Sequence, residues 1–422
     1  HWRCGSGERL MVVDAAELKQ AAIQGLTHVT GADGLADFRA HARDTLAAVA
    51  FPDRKTEDWK YTSLKALEKD HVRVLAASTD TPALPDLGGS QVVLINGQLP
   101  DLDSLALPAG VIAQPLSSHQ DKATTDMVGP FTALNGAALS DGLLLSITAG
   151  ADVDGLIHIV HVASGTQAAS AHPRLVIEVG SNARVTLVEH YIGSSPILTN
   201  AVTRIDAHCN SQVTHYRLQS EGSEARHIGL LEFELARDAR VTSFQFMQGC
   251  ALRRNDVHAV MAESGSDLRM KGVFLARGKS HIDNHVCVEH RVPNCESDQV
   301  YKGIAGEHGR AVFNGRIHIH DGASGTNAEL SNKNLLLSNT AEIDTKPELE
   351  IYNDDVKCAH GTTVGQMDAT QLFYLRSRGI SEIDAKRMLG TGFVNELLLA
   401  IPDDAVQAWV TPWLADALTE GL

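Results

Sequence analysis

A cysteine and a histidine two residues apart, Cys358 and His360, are the side chains of this chain best placed to do chemistry. If residues 356–360 form a strand, positions i and i+2 point to the same side, and the two stand together on one face. A thiolate beside an imidazole suits soft or borderline metals, iron–sulfur clusters among them. Two ligands are nevertheless too few for a closed site, because clusters and structural zinc usually take about four. Either the pair does something else, or the missing ligands come from another chain.

A second dense run lies at residues 281–290, HIDNHVCVEH. On a strand, His281, Asp283, His285 and Cys287 would share a face, as a metal site, a polar ladder or an interface strip. His318 and His320 alternate in the same way, and solvent exposure or a hydrogen bond between stacked coils is their expected role. Arg277-Gly278-Lys279-Ser280 has the ending of a phosphate-binding loop, but that loop needs a glycine where Val273 stands, so an ordinary turn is expected. Cys209 and Cys250 read as buried small hydrophobes in strands. Asp354 and Asp355, adjacent on a strand, would point to opposite faces and make poor partners for glycosidic chemistry. No nucleophile–base–acid triad can be read from the order of residues.

Composition narrows the class. The 422 residues are 43% hydrophobic and 21% charged, as in a globular protein with a large core. Aromatics at 5% and 35 glycines suit stacked strands and turns better than a helical bundle. A net charge of −16 argues against a general nucleic-acid or acidic-membrane binder. No apolar run is as long as a membrane span, and no secretory leader pattern is present, so the expected location is cytoplasmic. Six scattered cysteines without a C-x-x-C pair fit a reduced compartment better than a disulfide framework.

The elements that must position these residues fall into blocks. Residues 1–10 read as an extension ahead of Met11. Residues 11–89 form a helical region and linker: helical spacing runs over residues 12–26 and 35–49, Pro52 ends the second helix, and residues 78–89 are rich in small residues and proline. Residues 90–365 are short β-rich runs closed by Gly, Asn, Asp or Ser. Within them a repeat recurs: Asn182-Ala183-Arg184-Val185, Asn210-Ser211-Gln212-Val213, Asp238-Ala239-Arg240-Val241 and Gly265-Ser266-Asp267-Leu268. The steps are 213 − 185 = 28, 241 − 213 = 28 and 268 − 241 = 27, each holding two strand-like runs. A fixed period of strands without helices predicts a β-solenoid whose end coils need caps, and the helical N-terminal region is a candidate for one of them. Residues 366–422 return to helix, with Arg378-Gly379 as a C-cap and Ser381–Asp384 as a capping box. Leu372, Phe373, Ile383, Leu389 and Leu397 are a generous apolar set there, for a partner or for the solenoid itself.

Residues 344–360, the preceding Leu335-Leu336-Leu337-Ser338, and the tail at 372–380 resemble the SufB/SufD family of iron–sulfur cluster assembly proteins. Residues 51–62 and 281–290 resemble it too, and length, helical N-terminus and Cys-x-His pair are most similar to the SufD branch. The resemblance implies a mainly β fold, a right-handed parallel β-helix flanked by helical domains. It implies a non-catalytic scaffold subunit in complex with SufB and with the ATPase SufC, the latter docked on the C-terminal helices. It implies a transient cluster shared with the partner chain, with Cys358 and His360 as this chain's ligands, and a reduced flavin in the assembled complex. Two alternatives stay open: a β-helix polysaccharide lyase or hydrolase, and a self-contained metal-binding protein using His281, His285 and Cys287. A homodimer of the isolated chain also stays open.

Overall fold

The computed structural model describes residues 14–75, 83–125 and 129–419. Two sheets dominate, one of nine strands and one of ten, and along most of the chain successive strands alternate between them. Neighbours within each sheet are parallel apart from the first pair of the larger sheet, where residues 111–115 run antiparallel to residues 143–147. The result is a parallel β-solenoid in which two strands make one coil.

The repeat in the sequence is the height of that coil. Val185 lies opposite Val213, Val213 opposite Val241, and Val241 opposite Leu268. Each repeat opens on a residue with positive φ: Asn182 at 61°, Asn210 at 57°, Asp238 at 57° and Gly265 at 82°. Asn, Asp and Gly tolerate this left-handed conformation best, so the same turn can be stacked coil upon coil. The side chains stack as well, Asn210 Nδ2 donating to Asn182 Oδ1 at 2.8 Å.

Both faces of each sheet are covered over much of their length. This is why the strands read as near-continuous apolar runs rather than clean alternation. Between the sheets, Val185, Val213, Val241 and Leu268 meet Ile205, Leu235 and Met261 in one elongated core. Outside the larger sheet, helices α1 (Ala15–Gly25), α2 (Ala36–Ala48) and α3 (Pro130–Ala138) bring Leu18, Leu46 and Phe131, with Trp59, onto Leu198, Ile228 and Leu252. The N-terminal region therefore packs on a flank and does not cap an end. The cap at that end is formed by Leu99, Leu102, Leu105 and Leu107, packed against the inner core.

Three C-terminal helices follow: α4 (Ala369–Ser377), α5 (Glu382–Leu399) and α6 (Asp404–Ala417). Asp368 and Ser381 cap α4 and α5 through Thr370 N–H at 2.8 Å and Asp384 N–H at 3.1 Å. From α5 and α6, Val394, Leu397, Val406, Val410 and Leu414 cover Tyr216, Phe244, Phe246 and Leu275 on the outer face of the smaller sheet. Among the described residues no helix is long and apolar enough to cross a membrane.

Candidate functional site

The solenoid ends on two adjacent strands, Glu342–Ile351 in one sheet and Val356–Gln366 in the other. Each is the terminal strand of its sheet, so both present an unpaired backbone edge on the same end of the molecule. The inner core reaches this end half-covered, with Ile343, Leu349, Val356 and Cys358 packed against it but not fully buried. Gly361 has open space where a side chain would stand.

Cys358 and His360 lie on that last strand. Parallel pairing sets Cys358 opposite the buried Ala328 and His360 opposite the buried Leu330, so both continue the inward-facing row of the solenoid at its open end. Cys358 is half-buried and His360 exposed. Burial pushes the Cys358 thiol above its ordinary value, which disfavours the thiolate in the isolated chain. Among the described residues neither belongs to a cluster of three metal-ligating side chains. The pair is placed as the alternation predicts.

The ladder at 281–290 forms the strand His281–His290, and the structure divides it. Its first half holds the N-terminal segment. Thr62 Oγ1 donates to Asp283 Oδ2 at 2.5 Å and lies 2.8 Å from His281 Nε2. Asp283 Oδ2 also accepts from Arg254 Nη1 at 2.7 Å, and its other oxygen is 3.0 Å from His285 Nε2. Burial raises the Asp283 carboxyl, but Arg254, His285 and Thr62 outweigh it and hold it well below the usual carboxylate range. His281 and His285 are thus spent on a structural clamp, while Cys287 gathers with His258 and Glu289 instead.

Three smaller expectations meet the structure as follows. Arg277–Ser280 is a turn closed by Arg277 N–H to Ser280 Oγ at 2.9 Å. Cys250 is buried, whereas Cys209 sits half-exposed in the turn after residues 197–207, because its inward neighbour Ala207 ends the strand. Asp354 and Asp355 lie in the bend between the last two strands rather than on a strand, since Asn353 Oδ1 accepts the Asp355 N–H at 3.0 Å and turns the chain.

One feature went unseen in the sequence. Midway along the solenoid the inner core turns polar, where Glu189 and Glu221 sit fully buried with Arg217 and Arg253. Glu221 takes Arg253 Nη1 at 2.7 Å and faces His227 Nδ1 at 3.1 Å. Glu189 accepts from Tyr191 and Thr203 and has Arg217 Nε and His215 Nε2 each at 3.5 Å. Burial pushes both carboxyls up, but Arg217 at Glu189, and His227 and Arg253 at Glu221, overcome it. Burial also keeps His161 neutral, lowering it to about 4. Two carboxylates against two guanidiniums leave this chamber balanced without an ion. The even positions of the repeat carried the signal, since inward His215, Arg217 and Gln219 follow Val213 at steps of two.

At the far side, α4 buries none of its residues. Phe373 is 72% exposed, Leu399 70%, Tyr374 56% and Met388 50%. Leu372 and Leu375 are half-buried, so what α4 leaves open is the face carrying Phe373 and Tyr374, which only a partner could cover.

The family model "SUF system FeS cluster assembly, SufBD core domain" matches residues 160–393. The chain belongs to the SufBD family of iron–sulfur cluster assembly proteins. It is 30% identical over 420 residues to a SufBD family protein of Synechocystis sp., covering 93% of each chain. It is 32% identical over 389 residues to the iron–sulfur cluster assembly protein SufD of Escherichia coli, covering 89% of this chain and 91% of that one. A SufBD family protein of Mycobacterium tuberculosis is 24% identical over 394 residues, across 91% of this chain. The matched core runs from the early coils through the clamp, the open end and into α5. As a SufBD chain and SufD homologue, the protein belongs to the machinery of iron–sulfur cluster assembly.

Proposed function

We propose that this chain is a non-catalytic scaffold subunit that pairs its open solenoid end with a SufB-type partner and holds part of a nascent cluster there. The observation that carries the reading is the coincidence of two unpaired strand edges, a half-covered core and the Cys358–His360 pair at one end. A bare edge of that length is an aggregation hazard unless something pairs with it. A second β-helix would extend both sheets, close the core, and bring the missing ligands to the pair. His360 would ligate iron, and Cys358 would join as thiolate once metal offsets its burial.

The nucleotide chemistry would come from a separate ATPase of the SufC type, docked on the exposed residues of α4 and the start of α5. The area offered by Phe373, Tyr374, Ile383 and Met388 supports that surface. A cytoplasmic setting fits the free, unpaired cysteines. The test for the site is His360→Ala in the assembled complex, with cluster yield measured in cells. Intact assembly with lost cluster formation supports the reading, and unchanged yield removes His360 from the site. For the helices, deletion is uninformative because α5 and α6 cover the smaller sheet. The double variant Phe373→Ser/Met388→Ser spares that packing, and undiminished capture of the ATPase would place its contact elsewhere.

A further inference from the structure

The outer face of the larger sheet carries a second group of metal-ligating side chains, away from the open edges. Parallel pairing places His258 directly opposite Cys287, and Glu289 opposite His318, on three neighbouring strands. His258, Cys287, Glu289, His318 and His320 therefore share one patch, all outside the inner core. His258 Nε2 lies 2.9 Å from Glu289 Oε1, and His320 Nε2 lies 3.2 Å from Glu289 Oε2. The ligand atoms of His258, Cys287 and Glu289 all fall within 4.8 Å of one another, and so do those of Glu289, His318 and His320. The His318 and His320 rings stack at 4.1 Å.

We infer that His258, Cys287 and Glu289 form a site for a borderline divalent ion of the zinc(II) or iron(II) class. One imidazole, one thiolate and one carboxylate make a mixed set that such ions prefer and that magnesium and calcium do not. Three protein ligands with a fourth position open is the pattern of an accessible site rather than a closed structural one. Metal–ligand bonds of about 2.0–2.3 Å need the three atoms to close up by only on the order of 1 Å. The strand backbones hold them, so little ordering is left for the ion to impose. His258 is buried, which fixes its ring, while Cys287 and Glu289 are half-exposed and reachable. His320 touches the other oxygen of Glu289 and orients the carboxylate. Two guanidiniums face the unloaded site: Arg291 Nε lies 3.0 Å from Glu289 Oε2 with its side chain 45% exposed, so it can swing away, and Arg316, opposite Cys287, is held by Glu350. Nothing here depends on the cluster-sharing role of Cys358 and His360.

The experiment uses the full chain carrying Cys358→Ser and His360→Ala, titrated with cobalt(II) alone and read in the near-ultraviolet and visible. A thiolate-to-cobalt band saturating near one equivalent is expected. Cys287→Ser abolishes that band, and His258→Asn or Glu289→Gln weakens binding at least 10-fold. Arg291→Gln tightens it, because the competing guanidinium is gone. His318→Asn keeps the band. Zinc(II) and iron(II) are then ranked by displacement of cobalt, with circular dichroism confirming that each variant is folded. No thiolate band in the Cys358→Ser/His360→Ala background overturns the inference. So does a band that survives Cys287→Ser, or one that depends on His318.

Discussion

Replacing Asp283 by alanine should loosen the N-terminal segment from the solenoid, and the size follows from its surroundings. The Asp283 side chain is 1% exposed and that of Arg254 3%. Removing one partner of a buried pair costs about 3–5 kcal/mol, because the other charge stays behind without compensation. Arg254 is not wholly abandoned: Asp256 Oδ1 accepts from its Nε at 3.1 Å and its Nη2 at 2.7 Å, the Asp58 carbonyl accepts at 2.6 Å, and its guanidinium lies 4.6 Å from the Trp59 ring centre. This favours the lower end, about 3 kcal/mol. Losing the Thr62 bond adds about 1 kcal/mol. The opening of residues 57–64 should therefore rise by two to three orders of magnitude, since about 1.4 kcal/mol is tenfold. Native-state hydrogen exchange of those amides reads it directly. The double variant Asp283→Leu/Arg254→Met should recover most of the loss, because it leaves neither charge buried alone. Protection within about 1 kcal/mol of the parent in Asp283→Ala would refute the reasoning. A double variant as damaged as the single one would also refute it, since the loss would then not come from the stranded charge.

Stability should fall with acid well above the carboxylate range. Burial lowers His161 to about 4 and His172 and His190 to about 3. A folded value below the unfolded 6.5 or so means these rings stabilise the fold fully above pH of about 6.5 and progressively less as pH falls toward 4–3. Each should cost up to about 2 kcal/mol at pH 5, and urea midpoints unchanged between pH 7 and pH 5 would contradict this. Asn210→Ala should cost about 1–2 kcal/mol, because alanine lacks the short polar side chain that eases φ 57° and donates to Asn182 Oδ1, with Asn210→Gly milder, both read by urea denaturation. Val410→Asp, with its charge driven into the fully buried seam between α6 and the smaller sheet, should free α5 and α6 and expose them to limited proteolysis. A digestion pattern identical to the parent's would mean that the seam does not hold those helices.

Much of the architecture was legible because a solenoid is close to one-dimensional. Each coil contacts its neighbours, so a turn residue at φ near 60° must recur with the length of the coil. Asn182, Asn210, Asp238 and Gly265 record that period in the chain itself. The side-chain period of two within a strand is equally local, and it put Cys358 and His360 on one face. The helix caps at Asp368 and Ser381 were readable for the same reason, since a cap reaches only a few residues along the chain.

What depended on contacts between distant residues was decided only by the tertiary structure. Alternation could assign Cys287 to a face, but not which strand would lie beside it. The parallel register brought His258 there, while His281 went to Thr62, more than two hundred positions away in the chain, and His285 to Asp283. The N-terminal helices carry the apolar stripe of either a cap or a flank, and Leu198, Ile228 and Leu252 made them a flank. The apolar tail could equally have served a partner or its own core, and it divides: α5 and α6 seal the smaller sheet while α4 stays bare. The Cys358–His360 pair itself is a local fact of sequence. That it stands at an open end, with no third ligand beside it among the described residues, is a fact of where the stack of coils stops.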